Sequence, residues 1–337
     1  MSKSEVAEDN LYSYNVEEHN NFCDKRPWKK SAKYFNSVKI SSISLLKMVM
    51  HCTQGVPLEV MGLLQGKIEE HVFIITDVFA LPVEGTETRV NAQEEALGYM
   101  ADYLEQCKEV GRLENAVGWY HSHPGYGCWL SGVDVTTQNL QQMYNEPWLA
   151  IVVDPVRTIS SGKVEIGAFR TYPKDYVPKD EESQYQTIPL EKIEDFGVHA
   201  RSYYQLPIEF FKSSLDKKLL DLLWNQYWLN TLSTSPIITN KDFVTGQIKD
   251  LTRKLENAQQ TIGFGRQYQS KGESQLRKVS KDGSKAAIEQ INGLVSQVVK
   301  NSLFNSRKQL PKRRKKKKKK KKTKINPLNI ILKRYSN

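Results

Sequence analysis

The sequence predicts an α/β sandwich with a mixed β-sheet and flanking helices, followed by a C-terminal helical region. Three observations predict it. Short apolar or alternating runs recur between residues 37 and 172, bounded by Gly, Pro and polar residues. Segments with apolar residues at helical spacing separate them. From Pro207 onward the helical period takes over.

The elements follow in order. Residues 1–34 form an N-terminal arm, polar and charged with a few aromatics (Tyr12, Tyr14, Trp28), and are expected to be mostly irregular. Ser37–Ser41 alternates and predicts a strand. Ile43–Cys52 predicts a helix, since Ile43, Leu46 and Met50 recur at its spacing, and Gly55 with Pro57 ends it. Leu58–Ile68 and Val72–Pro82 predict a hairpin turning at Glu69-Glu70-His71. Residues 82–92 are polar and contain Gly85, which predicts a loop. Ala92–Val110 predicts a helix with Leu97, Met100, Ala101 and Leu104 on one face, stopped by Gly111.

Ala116–His123 predicts a strand, and Pro124-Gly125-Tyr126-Gly127 a turn. Ser131 suits the N-cap of a helix over Gly132–Asn145. Trp148–Val153 and Lys163–Tyr172 predict two further strands. These elements define a body over residues 35–178. Residues 179–206 are charged, without strong periodicity, and are expected to be a linker. Residues 207–305 carry three apolar stripes at helical spacing: Phe210 to Trp228, Phe243 to Ile262 and Ala287 to Leu303. A Gly-, Ser- and Lys-rich stretch over 263–283 is expected to separate the last two. Such stripes either pack back on the body or dock into helices of partner subunits. Residues 306–337 are expected to be a disordered basic tail.

The net charge of +11 suggests a nucleic-acid binder until its distribution is read. Of 49 Lys and Arg, 16 lie from Arg307 onward, where no acid stands, leaving 33 against 38 acidic residues before it. The body is mildly acidic, so nucleic acid is an unexpected partner. Cys23, Cys52, Cys107 and Cys128 form no Cys-x-x-Cys pair, which argues against a zinc ribbon or a disulfide framework. The polar N-terminus and the lack of a long apolar run predict no membrane segment and a cytoplasmic and nuclear location.

The chemistry concentrates in Gly118-Trp119-Tyr120-His121-Ser122-His123-Pro124 and Ser131-Gly132-Val133-Asp134. In a strand, residues two apart face one side, so His121 and His123 can converge on one ion. Asp134 would join them from the first turn of the next helix. Two imidazoles and one carboxylate leave a fourth tetrahedral position open, as a catalytic zinc site requires. The same Ser131 and Asp134 also fit a simple helix start, one capping and the other favoured by the dipole. Hydrolysis needs a carboxylate to move protons. Glu59 is the candidate, because Val60, Met61, Gly62, Leu63 and Leu64 follow it and a charge beside a core is costly. A strand-end carboxylate in water is the alternative. Ser131 can donate to an oxyanion. Cys128 is expected to be a small buried thiol rather than a ligand.

Glu59, His121-Ser122-His123-Pro124 and Ser131-Gly132-Val133-Asp134 together resemble the signature of the JAMM (MPN-plus) metalloproteases, over residues 35 to about 175. Within that family, Glu84–Ala92, Arg157–Ser160, Ile166–Pro173, Leu46–His51 and Tyr203–Leu206 are most similar to the branch of the COP-nine signalosome. The deubiquitinase branch of the proteasome lid is the second likeness, and a non-catalytic MPN scaffold the third reading. The resemblance implies a cytidine-deaminase-like fold and one Zn2+ on His121, His123 and Asp134. It implies Glu59 as general acid/base and Ser131 steadying the tetrahedral intermediate. It further implies neddylated cullin-RING ligases as substrates and partner subunits bound through the C-terminal helices. A nucleobase deaminase is disfavoured, since His-x-Glu and Pro-Cys-x-x-Cys are absent.

Two features stand outside that pattern. In residues 82–92, Glu84 or Glu87 could reach the open metal position, or Arg89 could pair with Asp134, and either would block substrate; an ordinary solvated loop is the alternative. Lys312–Lys322 is an unbroken run of eleven basic residues that cannot fold by itself. It suits a nuclear-import signal, an acidic partner, or an extension without a role.

Overall fold

A computed structural model describes residues 3–85, 91–173, 176, 178, 186–222, 236–263 and 269–307. Its centre is one mixed sheet of eight strands in the order β7-β6-β5-β4-β2-β3-β1-β8. The strands are β1 Ser37–Ser41, β2 Glu59–Glu69, β3 Val72–Gly85, β4 Asn115–Ser122, β5 Leu149–Asp154, β6 Glu165–Thr171, β7 Tyr203–Leu206 and β8 Ile208–Phe211. β2 and β3 make the expected antiparallel hairpin, with Glu70 at φ 46° in its turn. β4 lies antiparallel to β2 and parallel to β5, which puts their C-terminal ends side by side.

Helices cover both faces of the sheet. α3 (Ser42–Gly55) is capped by Ser41, whose Oγ accepts the Ser44 N–H at 3.1 Å. It buries Met48 and Cys52 against Val38, Ile40, Leu64, Ile75, Tyr120, Leu149 and Ile151. On the other face, α4 (Asn91–Glu109) and α5 (Gly132–Tyr144) cover Leu63, Phe79, Trp119, Ala150, Val152 and Phe169, supplying Met100, Leu104 and Val135. β5 is buried from end to end, which explains its unbroken apolar run. Each fully buried aliphatic side chain, such as Leu64, Leu149 or Ile151, stabilises the fold by about 1.5–3 kcal/mol.

Several expectations need correction. The N-terminal arm is not irregular. It forms α1 (Lys3–Asn10), α2 (Val16–Asp24) and a 3-10 turn at Pro27–Lys30. Asn15 caps α2, and Phe22 and Trp28 pack against the core, so a few aromatics anchor a segment whose composition is otherwise polar. The segment 179–206 is not merely a linker. Within it, α7 (Ile193–His199) packs on α5, and β7 extends the sheet beside β6. The helix expected from Pro207 begins instead as β8, which pairs in parallel with β1. Helix α8 (214–222) follows, started by Ser213 and Asp216 exchanging backbone contacts, and the rest of that stripe lies outside the described residues. Short strands at 203–211 are hard to read because their side chains alternate for only four residues. The sheet therefore crosses the boundary expected at 178.

The loop expected at 82–92 is also shorter, since β3 continues to Gly85 and α4 begins at Asn91. Residues 86–90, with Glu87 and Arg89, lie outside the described residues, as do residues 308–337 with the lysine run.

At the C-terminal end, α9 (Pro236–Thr239), α10 (Lys241–Gly263) and α11 (Gln269–Arg307) pack together. α11 begins at Gln269, so most of the stretch expected to separate two helices is itself helical. The unit sits back on the body. Asn240 Nδ2 donates to Val156 O at 2.8 Å and to Ser160 Oγ at 2.7 Å. Ser296 Oγ donates to Gly162 O at 3.2 Å. Lys254 is buried between Asp250 (2.8 Å) and Asp282 (2.9 Å) and donates to Ile188 O at 2.7 Å. A single apolar stripe cannot bury all of α11, and Ile288, Ile291, Val295 and Val298 remain exposed.

Candidate metal centre and catalytic site

The candidate site lies where β4 ends. Trp119 and His121 point to the α5 side of the sheet, with their rings stacked at 4.5 Å and 16°. Trp119 is itself fixed, because its Nε1 donates to the buried Gln138 Oε1 at 2.8 Å. His123 follows just past the strand. Its backbone N–H still bonds β5 at Val153 O, which carries the two-residue period past the strand's last residue.

The three expected ligands converge. His121 Nε2 and His123 Nε2 are 3.1 Å apart. Asp134 Oδ2 stands 3.4 Å from the first and 3.5 Å from the second. Donors at 2.0–2.1 Å from a tetrahedral zinc stand roughly 3.3 Å from one another, so this triangle fits such an ion. Both histidines are buried, 4% and 2% exposed, where an imidazole pair without a shared partner would be costly. The tautomers fit as well. His123 Nδ1 lies 3.0 Å from Gly127 O, which can only accept, so Nδ1 carries the proton and the Nε2 lone pair is free. Among the described residues, none hydrogen-bonds the buried His121 Nδ1.

Asp134 combines both features read from its sequence, since it completes a helix cap and also faces the two imidazoles. Ser131 and Asp134 form a capping box at the start of α5. Ser131 N and Oγ donate to Asp134 Oδ2 at 2.8 and 2.7 Å, and Asp134 N donates to Ser131 Oγ at 3.2 Å. The cap thereby aims the oxygen that faces both imidazoles. Asp195 of α7 takes the adjoining Gly132 N–H at 3.2 Å.

The charges reinforce one another. Burial alone would push Asp134 up, but His121 first and His123 next hold its carboxyl far below the usual carboxylate range. Burial pulls His121 down, and the Asp134 carboxylate outweighs it, so the imidazole ends above its ordinary value of 6.5. A raised value in the folded chain means that the ion pair stabilises metal-free protein fully below pH 6.5 and is lost as pH rises through the folded value. NMR of the metal-free chain is therefore expected to show His121 titrating above 6.5, with thermal stability falling across that same step. Titration of His121 below 6.5 would contradict this.

Glu59 opens β2 and is partly buried. Two contacts place it beside the triad. The next residue's N–H, at Val60, donates to Ser122 Oγ at 2.9 Å, tying the start of β2 to the residue between the two histidines. The Tyr126 hydroxyl donates to Glu59 Oε1. Burial, and then that bond to Glu59, push the Tyr126 phenol up and keep it a donor. Burial pushes the Cys128 thiol up, which suits an inert thiol. Among the described residues, the group at this site that could hold a metal ion is His121, His123 and Asp134, and Cys128 is not part of it.

The sequence reading missed what holds these groups. Asp154 is completely buried at the end of β5 and binds the turn after His123, accepting the Gly125 N–H at 3.0 Å and the Gly127 N–H at 2.8 Å. Gly125 and Gly127 have φ of +90° and +92°, open to glycine and strained for other residues. The signal was present as Gly-Tyr-Gly and as Asp154-Pro155, a helix start, but nothing in the sequence joins the two.

Comparisons with known proteins place the chain in a family. Residues 33–147 match the family model described as JAB1/Mov34/MPN/PAD-1 ubiquitin protease. Residues 233–305 match that of the Cop9 signalosome subunit 5 C-terminal domain. The chain is 61% identical to COP9 signalosome complex subunit 5 of Dictyostelium discoideum, over 89% of this chain and 92% of that one. Identity to the Drosophila melanogaster subunit 5 is 58%, over 88% and 91%. For subunit 5b of Arabidopsis thaliana it is 56%, over 92% and 89%. Near-complete coverage at such identity, together with the two family models, shows that the chain belongs to the COP9 signalosome subunit 5 family of JAB/MPN-domain proteins.

Proposed function

We propose that this chain is a zinc-dependent isopeptidase that removes a ubiquitin-like modifier from cullin lysines as the catalytic subunit of a signalosome. The observation that carries it is the convergence of His121, His123 and Asp134 at spacings of 3.1, 3.4 and 3.5 Å, with Glu59 held alongside. A purely scaffolding MPN subunit has no need of that arrangement. Membership of the subunit 5 family favours cullin deneddylation over a proteasome-lid deubiquitinase.

His121, His123 and Asp134 would hold the ion. Zinc bound there supplies a Lewis acid and brings the pKa of a water toward neutrality. Glu59 takes the proton released by the attacking water and returns it to the departing lysine amine. Ser131, its hydroxyl turning from Asp134 Oδ2, donates to the oxyanion of the tetrahedral intermediate. Trp119, stacked on His121, and Gly127 O, on His123 Nδ1, keep both rings in register. The reaction needs no covalent enzyme intermediate, so Cys128 stays a bystander.

Assembly would use the exposed stripe of Ile288, Ile291, Val295 and Val298 on α11, which suits a bundle with helices of other subunits. No helix among the described residues is long and apolar enough to cross a membrane. The signalosome reading, separately, places the protein in cytoplasm and nucleus. The test is an assay of the reconstituted complex on neddylated cullin and on ubiquitin chains. Cleavage of the cullin conjugate that chelation abolishes and zinc restores is expected. Cleavage of ubiquitin chains with the cullin conjugate left intact would overturn the reading.

A further inference from the structure

We propose that Tyr126 is a positioning residue for hydrolysis: its hydroxyl holds Glu59 through Oε1, and Asp154 fixes the turn that delivers it. The inference rests on the isopeptidase reading above and adds to it two residues that act through Glu59 rather than on substrate.

The geometry is specific. Glu59 is the first residue of β2, and holding its long side chain in one place costs rotamer freedom that some contact must offset. The Tyr126 hydroxyl supplies the missing constraint from across the site. The tyrosine cannot easily swing away. Its ring stacks on His123 at 4.5 Å and 29°. Its carbonyl accepts from Trp129 Nε1 at 2.9 Å, and Lys192 Nζ lies 5.4 Å from its ring centroid.

The turn itself is fastened on both sides of Tyr126. Asp154 divides its two oxygens between them, Oδ1 to the Gly125 N–H and Oδ2 to the Gly127 N–H. Arg157 braces the same unit, its N–H donating to Asp154 Oδ1 at 2.9 Å and its Nη2 to Thr187 O at 2.6 Å. Gly127 O in turn orients His123. One buried carboxylate thus sets a turn that orders a metal-binding imidazole through Gly127 and the proton-carrying carboxylate through Tyr126. A side chain held in one orientation before substrate arrives reacts without an ordering cost, and small misplacements are expensive.

The test uses the reconstituted complex carrying Tyr126→Phe, which keeps the ring stack and removes one hydroxyl. The expected result is a fall in kcat of roughly tenfold to a hundredfold, with KM and zinc content as in the wild type. A Tyr126→Phe/Glu59→Gln double variant should be no slower than Glu59→Gln alone, because the hydroxyl acts only through that carboxylate. A crystal structure of the Tyr126→Phe protein should show the turn in place and Glu59 shifted or in several rotamers. A kcat within twofold of wild type, effects that multiply in the double variant, or an unmoved Glu59 would each overturn the proposal. A wild-type complex that fails to cleave neddylated cullin would sink the isopeptidase reading instead. The placement of Glu59 in the variant crystal, read without substrate, still decides the positioning claim.

Discussion

Glu59→Gln is expected to lower kcat of the assembled enzyme by roughly 10²–10⁴-fold while leaving zinc content and folding intact. The glutamine is nearly isosteric and can still accept from the Tyr126 hydroxyl, so the local packing survives. What disappears is the ability to take a proton from water and give one to an amine. Glu59 also lies outside the three groups that would hold the ion. Metal analysis beside steady-state kinetics separates the two effects. A variant that retains more than about a tenth of wild-type kcat would remove Glu59 from the proton path, leaving it a strand-end carboxylate.

Asp134→Asn should have the larger consequence, because it acts on the ion itself. The amide keeps an oxygen near Ser131 N but loses the charge that faces two imidazoles at 3.4 and 3.5 Å. Two neutral imidazoles and an amide oxygen are a poor substitute for a carboxylate-bearing set around a dication. Zinc per chain should fall from near one toward zero, and cleavage should drop to background. The helix cap should persist, since Ser131 Oγ still accepts the residue 134 N–H, so loss of stability from the cap should stay under about 1 kcal/mol. Circular dichroism should therefore match wild type while metal analysis does not. Full zinc occupancy in this variant would mean that the ion is held elsewhere.

Much of the site was legible in the sequence because its parts obey local periods. His121 and His123 face one side since a strand repeats every two residues. Asp134 is brought in because Ser131 starts a helix three residues earlier. Glu59 was legible as an acid at the edge of a core strand. Tyr126 and Asp154 were not, although each is prominent in the chain. Their partners lie 67 and 27–29 residues away, and no local period encodes such a meeting. The fold shows the same division. The long apolar runs that became β2, β3 and β5 were plain, whereas β7 and β8 were too short to display alternation and take their identity from β6 and β1. The N-terminal arm was misread because its anchoring contacts reach across the chain: Phe22, Cys23, Trp28 and Tyr34 meet the core, and Tyr12 meets Asp216 and Phe211.

By itself the sequence determined the order of strands and helices from β1 to β5, the two imidazoles on one strand face, and the carboxylate placed by a helix cap. Those follow from backbone geometry within a few residues. Only the tertiary structure decided that the sheet continues through residues 203–211, and that the C-terminal helices seat against the short helix α6 (Pro155–Ser161). It alone decided that a buried aspartate and a tyrosine hydroxyl hold the turn and Glu59 in place. The reason is physical: pairing of short edge strands and hydrogen bonds between distant side chains depend on which surfaces the packed core brings together, and that proximity exists only after the chain has folded.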